Sequence, residues 1–169
     1  IMVNGMLYGF IGFDSKEING ALTKNFLSLF RLLTEVITNL YSRYLSELEL
    51  TAISDRNRSL ISAVEQTDES VVITDINGSI EYVNPKFVEL TGYSLDEVIG
   101  KNPRILKSGN TSQEEYQKMW NTILSGLAWK GQFKNISKNK SVFWEKVTIS
   151  PIKNDVGVIT HFLSIKEDI

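Results

Sequence analysis

No cysteine occurs in the 169 residues, which excludes disulfides, thiolate metal sites, iron–sulfur clusters and thioether-linked haem. A single histidine, His161, supplies too little imidazole for most zinc sites or for a His-pair mechanism. Neither charge sign dominates: 18 Lys and Arg stand against 20 Asp and Glu, a net charge of −2. Nucleic-acid binders usually carry a basic face, so no nucleic-acid partner is expected. No run reaches the roughly 20 predominantly apolar residues that a membrane span needs. The most apolar stretch, residues 26–41, is interrupted by Arg31 and Glu35. Residues 2–13 are apolar but lack the basic leader of a secretory signal. The expected setting is the cytoplasm, either as a free protein or as the cytoplasmic part of a membrane-anchored sensor.

What is present is organised around residues 71–100, VVITDINGSIEYVNPKFVELTGYSLDEVIG. Two β-rich runs, residues 71–75 and 79–84, meet at Asn77-Gly78. That pair predicts a two-residue type I′ hairpin turn, since both residues tolerate positive φ. Asn84 can cap a helix and Pro85 suits its first position, where no N–H is needed. Gly92 stops that helix, Ser94 and Glu97 form a capping box for one further turn, and Gly100 ends it. A hairpin feeding two short capped helices predicts a cup rather than a solid block.

Before the hairpin, residues 6–13 alternate as a strand. From Leu22 the period changes: Leu22, Phe26, Leu29, Leu33, Val36 and Leu40 recur at steps of four and three, predicting an amphipathic helix with a coiled-coil-like seam. Asp55, Arg56, Asn57 and Arg58 read as a polar break, after which Leu60, Ile61 and Val64 restore a short helical face. The exposed stripe through Leu33 and Leu40 predicts a homodimer through this helix.

Beyond Gly100, Thr111 or Ser112 caps a helix over residues 112–125, with Gly126 at its C-cap position. Met119 and Trp120 on its apolar stripe are read as core. Trp129, Gly131, Phe133 and Asn135 share one face of a strand by period-two spacing. Residues 137–141 turn the chain, residues 142–150 run back, and residues 158–166 complete a meander. Two hairpin strands and three meander strands predict a five-stranded antiparallel sheet with helices on one face, an α+β fold.

The residue inventory disfavours catalysis. His161 lies in a strand with no cysteine to activate. The acidic pairs Glu114-Glu115 and Asp96-Glu97 are explained as helix starts, where carboxylates complement the dipole. No Walker-type phosphate loop and no metal-ligating cluster is present, so the chain is read as a non-enzyme.

The motifs TDINGSIEYVN, FVELTGYSLDEVIGKNPRILKSG, the downstream W-K-G and the closing ITHFLSIKEDI resemble, in order, a PAS domain. This family comprises sensory modules of bacterial signalling proteins. The resemblance covers roughly the last two thirds of the chain and implies the strand order 2-1-5-4-3. GMLYGFIGFDS and FLSLFRLLTEVITNLYSRY resemble the tail of a GAF domain, another sensory fold. The implied organisation is a GAF strand remnant over 1–20, a GAF helix and helical linker over 21–57, and a PAS domain over 58–169. The resemblance further implies a sensor histidine kinase or similar protein whose output domain lies outside this chain. It implies a homodimer packed through the N-terminal helix. Asp168, in the closing motif, would make the polar contact that fixes the direction of signal exit.

GKNPRILKSG also resembles the segment that flavin-binding light-oxygen-voltage PAS domains place against their cofactor. That resemblance implies ligand contacts from Asn102, Arg104 and Asn135, with Trp129 and Phe133 completing the site and FAD as the candidate cofactor. Amides can read a mixed donor–acceptor edge, and a guanidinium forks onto phosphate. Pro103 stands where the photoreactive cysteine would, so no cysteinyl–flavin adduct can form. Lys107, Glu145 and Lys166 replace flavin-facing amides. Haem is disfavoured, because the helix over residues 112–125 has no histidine to hold iron. The expected work is to bind a small ligand and pass a conformational bias along helices; the rival is a ligand-free dimerisation and relay module.

Overall fold

The computed structural model describes Met2–Val3, Met6–Leu7 and residues 24–169, with side chains from Ser28 onward. The helix start expected at Leu22, and the strand expected over residues 6–13 beyond Leu7, lie outside the described residues. Strands β1 (Met2–Val3) and β2 (Met6–Leu7) pair antiparallel. The chain divides into two compact units, Ile1–Ser59 and Leu60–Ile169.

Helix α1 runs unbroken over 42 residues, Lys24–Glu65. The polar break expected at Asp55–Arg58 therefore does not exist as a break. None of those four residues is Gly or Pro, and charged side chains on an exposed helix face cost little propensity. All four are exposed, and Ser59 Oγ donates back to the Asp55 carbonyl at 3.0 Å within the continuing helix. Leu29, Leu33, Val36 and Leu40 are all more than half exposed, so the predicted apolar stripe is uncovered. Among the described residues, no helix is long and apolar enough to cross a membrane.

The second unit is built on a five-stranded antiparallel sheet of β3 (Ser70–Asp75), β4 (Ile80–Val83), β5 (Trp129–Ile136), β6 (Val142–Lys153) and β7 (Ile159–Asp168). Its order, β4-β3-β7-β6-β5, is 2-1-5-4-3 when the five strands are counted from β3, as expected. The β3–β4 turn is not the predicted type I′. Gly78 has φ 82°, but Asn77 does not enter positive φ. The Asp75 carboxylate accepts from Asn77 N at 2.9 Å and Ser79 N at 2.7 Å, while Gly78 N donates to the Asp75 carbonyl at 3.1 Å. An aspartate that ties its own loop in this way favours a three-residue connection with one left-handed glycine. Those hydrogen bonds to Ser79 and Asn77 also hold the Asp75 carboxyl below its ordinary pKa, against a smaller opposing effect of burial.

Helices α2 (Pro85–Thr91), α3 (Leu95–Val98) and α4 (Gln113–Leu124), with a 3-10 turn at Pro103–Leu106, follow from their caps. Asn84 Oδ1 accepts from Phe87 N at 3.1 Å, Gly92 closes α2 with φ 74°, and Ser112 rather than Thr111 caps α4. Two apolar clusters fill the unit. Val72, Ile80, Val83, Phe87, Val98 and Leu106 pack around the hairpin and short helices. Met119, Ile123, Phe133, Val147, Ile149 and Phe162 pack α4 against the meander.

Candidate ligand-binding site

A cavity of about 290 Å³ opens where the second cluster meets the hairpin turn and the Asn102–Arg104 segment. Met119, Trp120, Ile123, Phe133, Ile149 and Phe162 form its apolar wall. Met119 and Trp120, read from sequence as core, are therefore both core and cavity lining. The sheet contributes polar lining from three of its strands: Thr74 on β3, Asn135 on β5, and Ser164 and Lys166 on β7. Side chains two apart on a strand point to the same face, so Phe133 with Asn135, and Phe162 with Ser164 and Lys166, arrive together. Arg104 and Lys107 are exposed and mark the solvent side.

Four of the five residues singled out from the sequence, Asn102, Arg104, Phe133 and Asn135, line this cavity. Trp129 does not. Its ring lies back over Gly131, where an added Cβ would stand 2.3 Å from the indole, and it stacks on Phe133 at 5.1 Å between centroids. The W-K-G motif thus gives the tryptophan a platform, with glycine needed because the ring occupies the space of its side chain. Phe133 stacks in turn on Tyr116 at 5.4 Å, and Lys107 Nζ sits 3.6 Å above the Tyr116 ring. Burial raises the Tyr116 phenol above its ordinary pKa, partly opposed by a hydrogen bond with Thr111, so it is a neutral hydroxyl at pH 7.

Asn102 is committed within the protein. Its Nδ2 donates to the Gly78 carbonyl at 2.9 Å, and its Oδ1 accepts from Arg104 N at 3.1 Å, capping the 3-10 turn. This bridge fixes the hairpin tip against the segment carrying Pro103 and Arg104. The Arg104 side chain has no hydrogen-bond or ion-pair partner among the described residues, and is free to reach an anion.

The far wall holds a polar cluster. Asn135 Nδ2 donates to Glu145 Oε2 at 2.6 Å, and Lys166 Nζ donates to the same oxygen at 3.3 Å. Glu145 is fully buried, Lys166 is 6% exposed, and Glu145 Oε1 has no partner. Sequence reading marked Glu145 and Lys166 only as departures from a family pattern. Their pairing joins positions 21 apart through the β6–β7 register, which local spacing does not reveal.

The relay residues fall elsewhere. Leu33 and Leu40 lie on the exposed stripe of α1. Asp168 ends β7 and is exposed, with no hydrogen bond or ion pair from its carboxylate among the described residues. His161 Nε2 sits 3.1 Å from Glu81 Oε2 on the sheet, and its Nδ1 lies 3.0 Å from the Thr160 hydroxyl.

A family model described as "PAS domain" matches residues 68–169. Among curated proteins, a nitrogen fixation regulatory protein of Klebsiella pneumoniae is 38% identical over 106 residues, covering 63% of this chain and 21% of that protein. A blue-light-activated histidine kinase of Brucella canis is 31% identical over 121 residues, covering 70% of this chain and 25% of that protein. Among solved structures, an RNA-binding light-oxygen-voltage receptor superposes with a TM-score of 0.63 at 27% identity, over 66% of this chain and 33% of that one. This chain thus spans about a fifth to a quarter of these curated relatives.

Proposed function

Because the chain belongs to the PAS domain family, we propose that it is the sensory module of a signal-transduction protein, binding a small ligand between its sheet and helices. The observation that carries this reading is the cavity itself: an apolar wall with a few convergent polar groups, the usual composition of a ligand site. The cavity is not packed shut by its Phe, Trp and Ile side chains, as a pure relay module would allow. Binding must favour one of two conformations to carry a signal, so the bound and free states have to differ in how they seat the elements around the cavity. The matched regulatory protein and histidine kinase support a place in such a protein, with an output domain beyond this chain. The RNA-binding description belongs to the solved receptor alone.

FAD is the specific cofactor that the light-oxygen-voltage likeness supports. The unpaired Arg104 guanidinium at the solvent side fits a phosphate. The two amides fit a flavin ring less well, because Asn102 is satisfied by Gly78 and Arg104, and Asn135 already serves Glu145. A visible absorption spectrum and native mass spectrometry of the purified protein test both levels. Yellow protein that loses its colour in Arg104→Ala supports FAD. Colourless protein that stays empty after incubation with FAD removes the flavin version. A cavity that takes up no small molecule at all removes the ligand reading.

A second reading, a dimerising relay module, rests on one observation, the uncovered stripe of α1 through Leu33 and Leu40. It is compatible with the first, since a ligand-biased core needs a helix to pass its state on.

A further inference from the structure

We propose that the ligand of this cavity is a small carboxylic acid with an apolar body, its carboxylate held at the sheet wall by Lys166. The inference rests on the ligand-binding reading above and names the class of ligand. Charge sets the class. Arg104, Lys107 and Lys166 all line the cavity, and no aspartate or glutamate does. Glu145, which pairs with Lys166, is fully buried and is not one of the lining residues.

Hydrogen-bond capacity sets the position. An ammonium carries three N–H donors. Among the described residues, Lys166 Nζ makes one hydrogen bond, to Glu145 Oε2 at 3.3 Å, and that oxygen is already taken by Asn135 at 2.6 Å. Buried donors without acceptors are costly, so an almost fully buried ammonium with spare N–H groups, on a residue that lines the cavity, leaves room for an acceptor from a ligand. A carboxylate offers two oxygens, and charge-assisted contacts of this kind are the stronger ones. The Ser164 and Thr74 hydroxyls on neighbouring strands can add donors to the same group. Met119, Ile123, Phe133, Ile149 and Phe162, which share the lining, offer apolar contact and fit a hydrocarbon or aromatic body. At about 290 Å³ the space sits at the low end of ligand pockets, which suits a small acid.

The test uses matched acid and amide pairs, phenylacetate with phenylacetamide and indole-3-acetate with indole-3-acetamide, titrated calorimetrically into the whole chain. Native mass spectrometry of the same preparation identifies any molecule that co-purifies. Lys166→Met alone risks the fold, so the variant is Glu145→Gln with Lys166→Met, which removes both charges together. The acid is expected to bind about tenfold or more tightly than its amide, and the ratio to fall to near one in the double variant. A co-purifying acid that is lost in that variant supports the inference equally. Equal affinity for acid and amide, or a co-purifying neutral molecule or flavin retained by the double variant, overturns the inference while leaving the cavity a ligand site. Protein that binds neither member of either pair and carries nothing in its native spectrum overturns both.

Discussion

The Asn102 side-chain amide donates to the Gly78 carbonyl at 2.9 Å, and a Cβ on Gly78 would stand 2.6 Å from that same amide nitrogen and 3.1 Å from the Trp120 ring. The hairpin tip, the segment carrying Arg104 and the cavity-lining helix α4 therefore meet at a point where only glycine fits. Gly78→Ala combines a strained positive φ with this steric conflict. Gly100, at φ 75°, has nothing within 4 Å of its would-be Cβ, so Gly100→Ala meets the conformational strain alone. Backbone strain of this kind costs about 1–3 kcal/mol. Gly78→Ala is expected to lower the free energy of urea unfolding by clearly more than Gly100→Ala. Equal losses would mean that the Gly78–Asn102–Trp120 contact yields without cost.

Asn84 is the second fixed point. Its Oδ1 accepts from Val71 N at 2.9 Å and Phe87 N at 3.1 Å, while its Nδ2 donates to the Glu69 carbonyl at 2.9 Å and the Val64 carbonyl at 3.2 Å. One fully buried amide thus ties the last turn of α1 to the start of β3 and the start of α2. Asn84→Ala leaves these backbone groups without partners, at about 1–3 kcal/mol for each that stays buried and unpaired. A loss of about 3 kcal/mol or more in chemical denaturation is expected. Amide hydrogen exchange should quicken at Val71 and Phe87 ahead of the rest of the sheet.

Sequence pattern made the caps and strands of this domain readable because they are local: Asn84-Pro85, Ser94 with Glu97, and Gly92 each act within four residues. Asn84 was legible as a cap, but its bonds to Val64, Glu69 and Val71 were not, because they join positions 13–20 residues apart. The turn at Asn77-Gly78 was misread for a local reason. The Asp75 carboxylate outcompetes the two-residue geometry that Asn-Gly alone would favour. The charges at 55–58 were misread as an interruption, although polarity without Gly or Pro leaves the helical ladder intact. Of the site, strand alternation placed Phe133 and Asn135 correctly on one face with Trp129. It could not show that the Trp129 ring folds back over Gly131 and away from the cavity.

Electrostatics at the α3 cap gives a pH-dependent prediction. A hydrogen bond from Lys138, followed by one from the Ser94 backbone, holds the Glu97 carboxyl down to about 2. A depressed folded-state pKa means that the contribution is present above the unfolded value and is lost as pH falls through the folded one. Glu97→Gln keeps the cap geometry and removes the charge. The wild-type advantage over Glu97→Gln should be present at pH 6, shrink as the pH falls below 4.5 and disappear near pH 2. The pair is solvent-exposed, so the advantage should be small and should also fall with added salt.

The uncovered stripe of α1 gives an assembly prediction. Leu29, Leu33, Val36 and Leu40 are spaced as a coiled-coil seam, and each is more than half exposed. Light scattering of the parent protein is expected to give the mass of a dimer, and Leu33→Asp with Leu40→Asp the mass of a monomer. The substitutions lie in the first unit, so melting of the sheet domain should be little changed. A parent that is monomeric at high concentration removes α1 as the dimer contact.

The buried Lys166–Glu145 pair makes the sharpest stability prediction, because its two halves should fail separately and succeed together. Glu145 is fully buried and Lys166 nearly so, and they meet at 3.3 Å beside Asn135. Removing one member leaves a charge in the wall of the core, which typically costs about 3–5 kcal/mol. Replacing both by neutral side chains of similar size removes the Coulombic gain and the desolvation penalty together, and is often neutral or stabilising. Lys166→Met should therefore melt well below the parent, and Glu145→Gln should also lose stability. Glu145→Gln with Lys166→Met should recover most of both losses. Additive losses would mean that each residue contributes through separate contacts. Recovery would mean that the charge on the cavity wall is retained at little benefit to folding, as a group kept for a ligand would be.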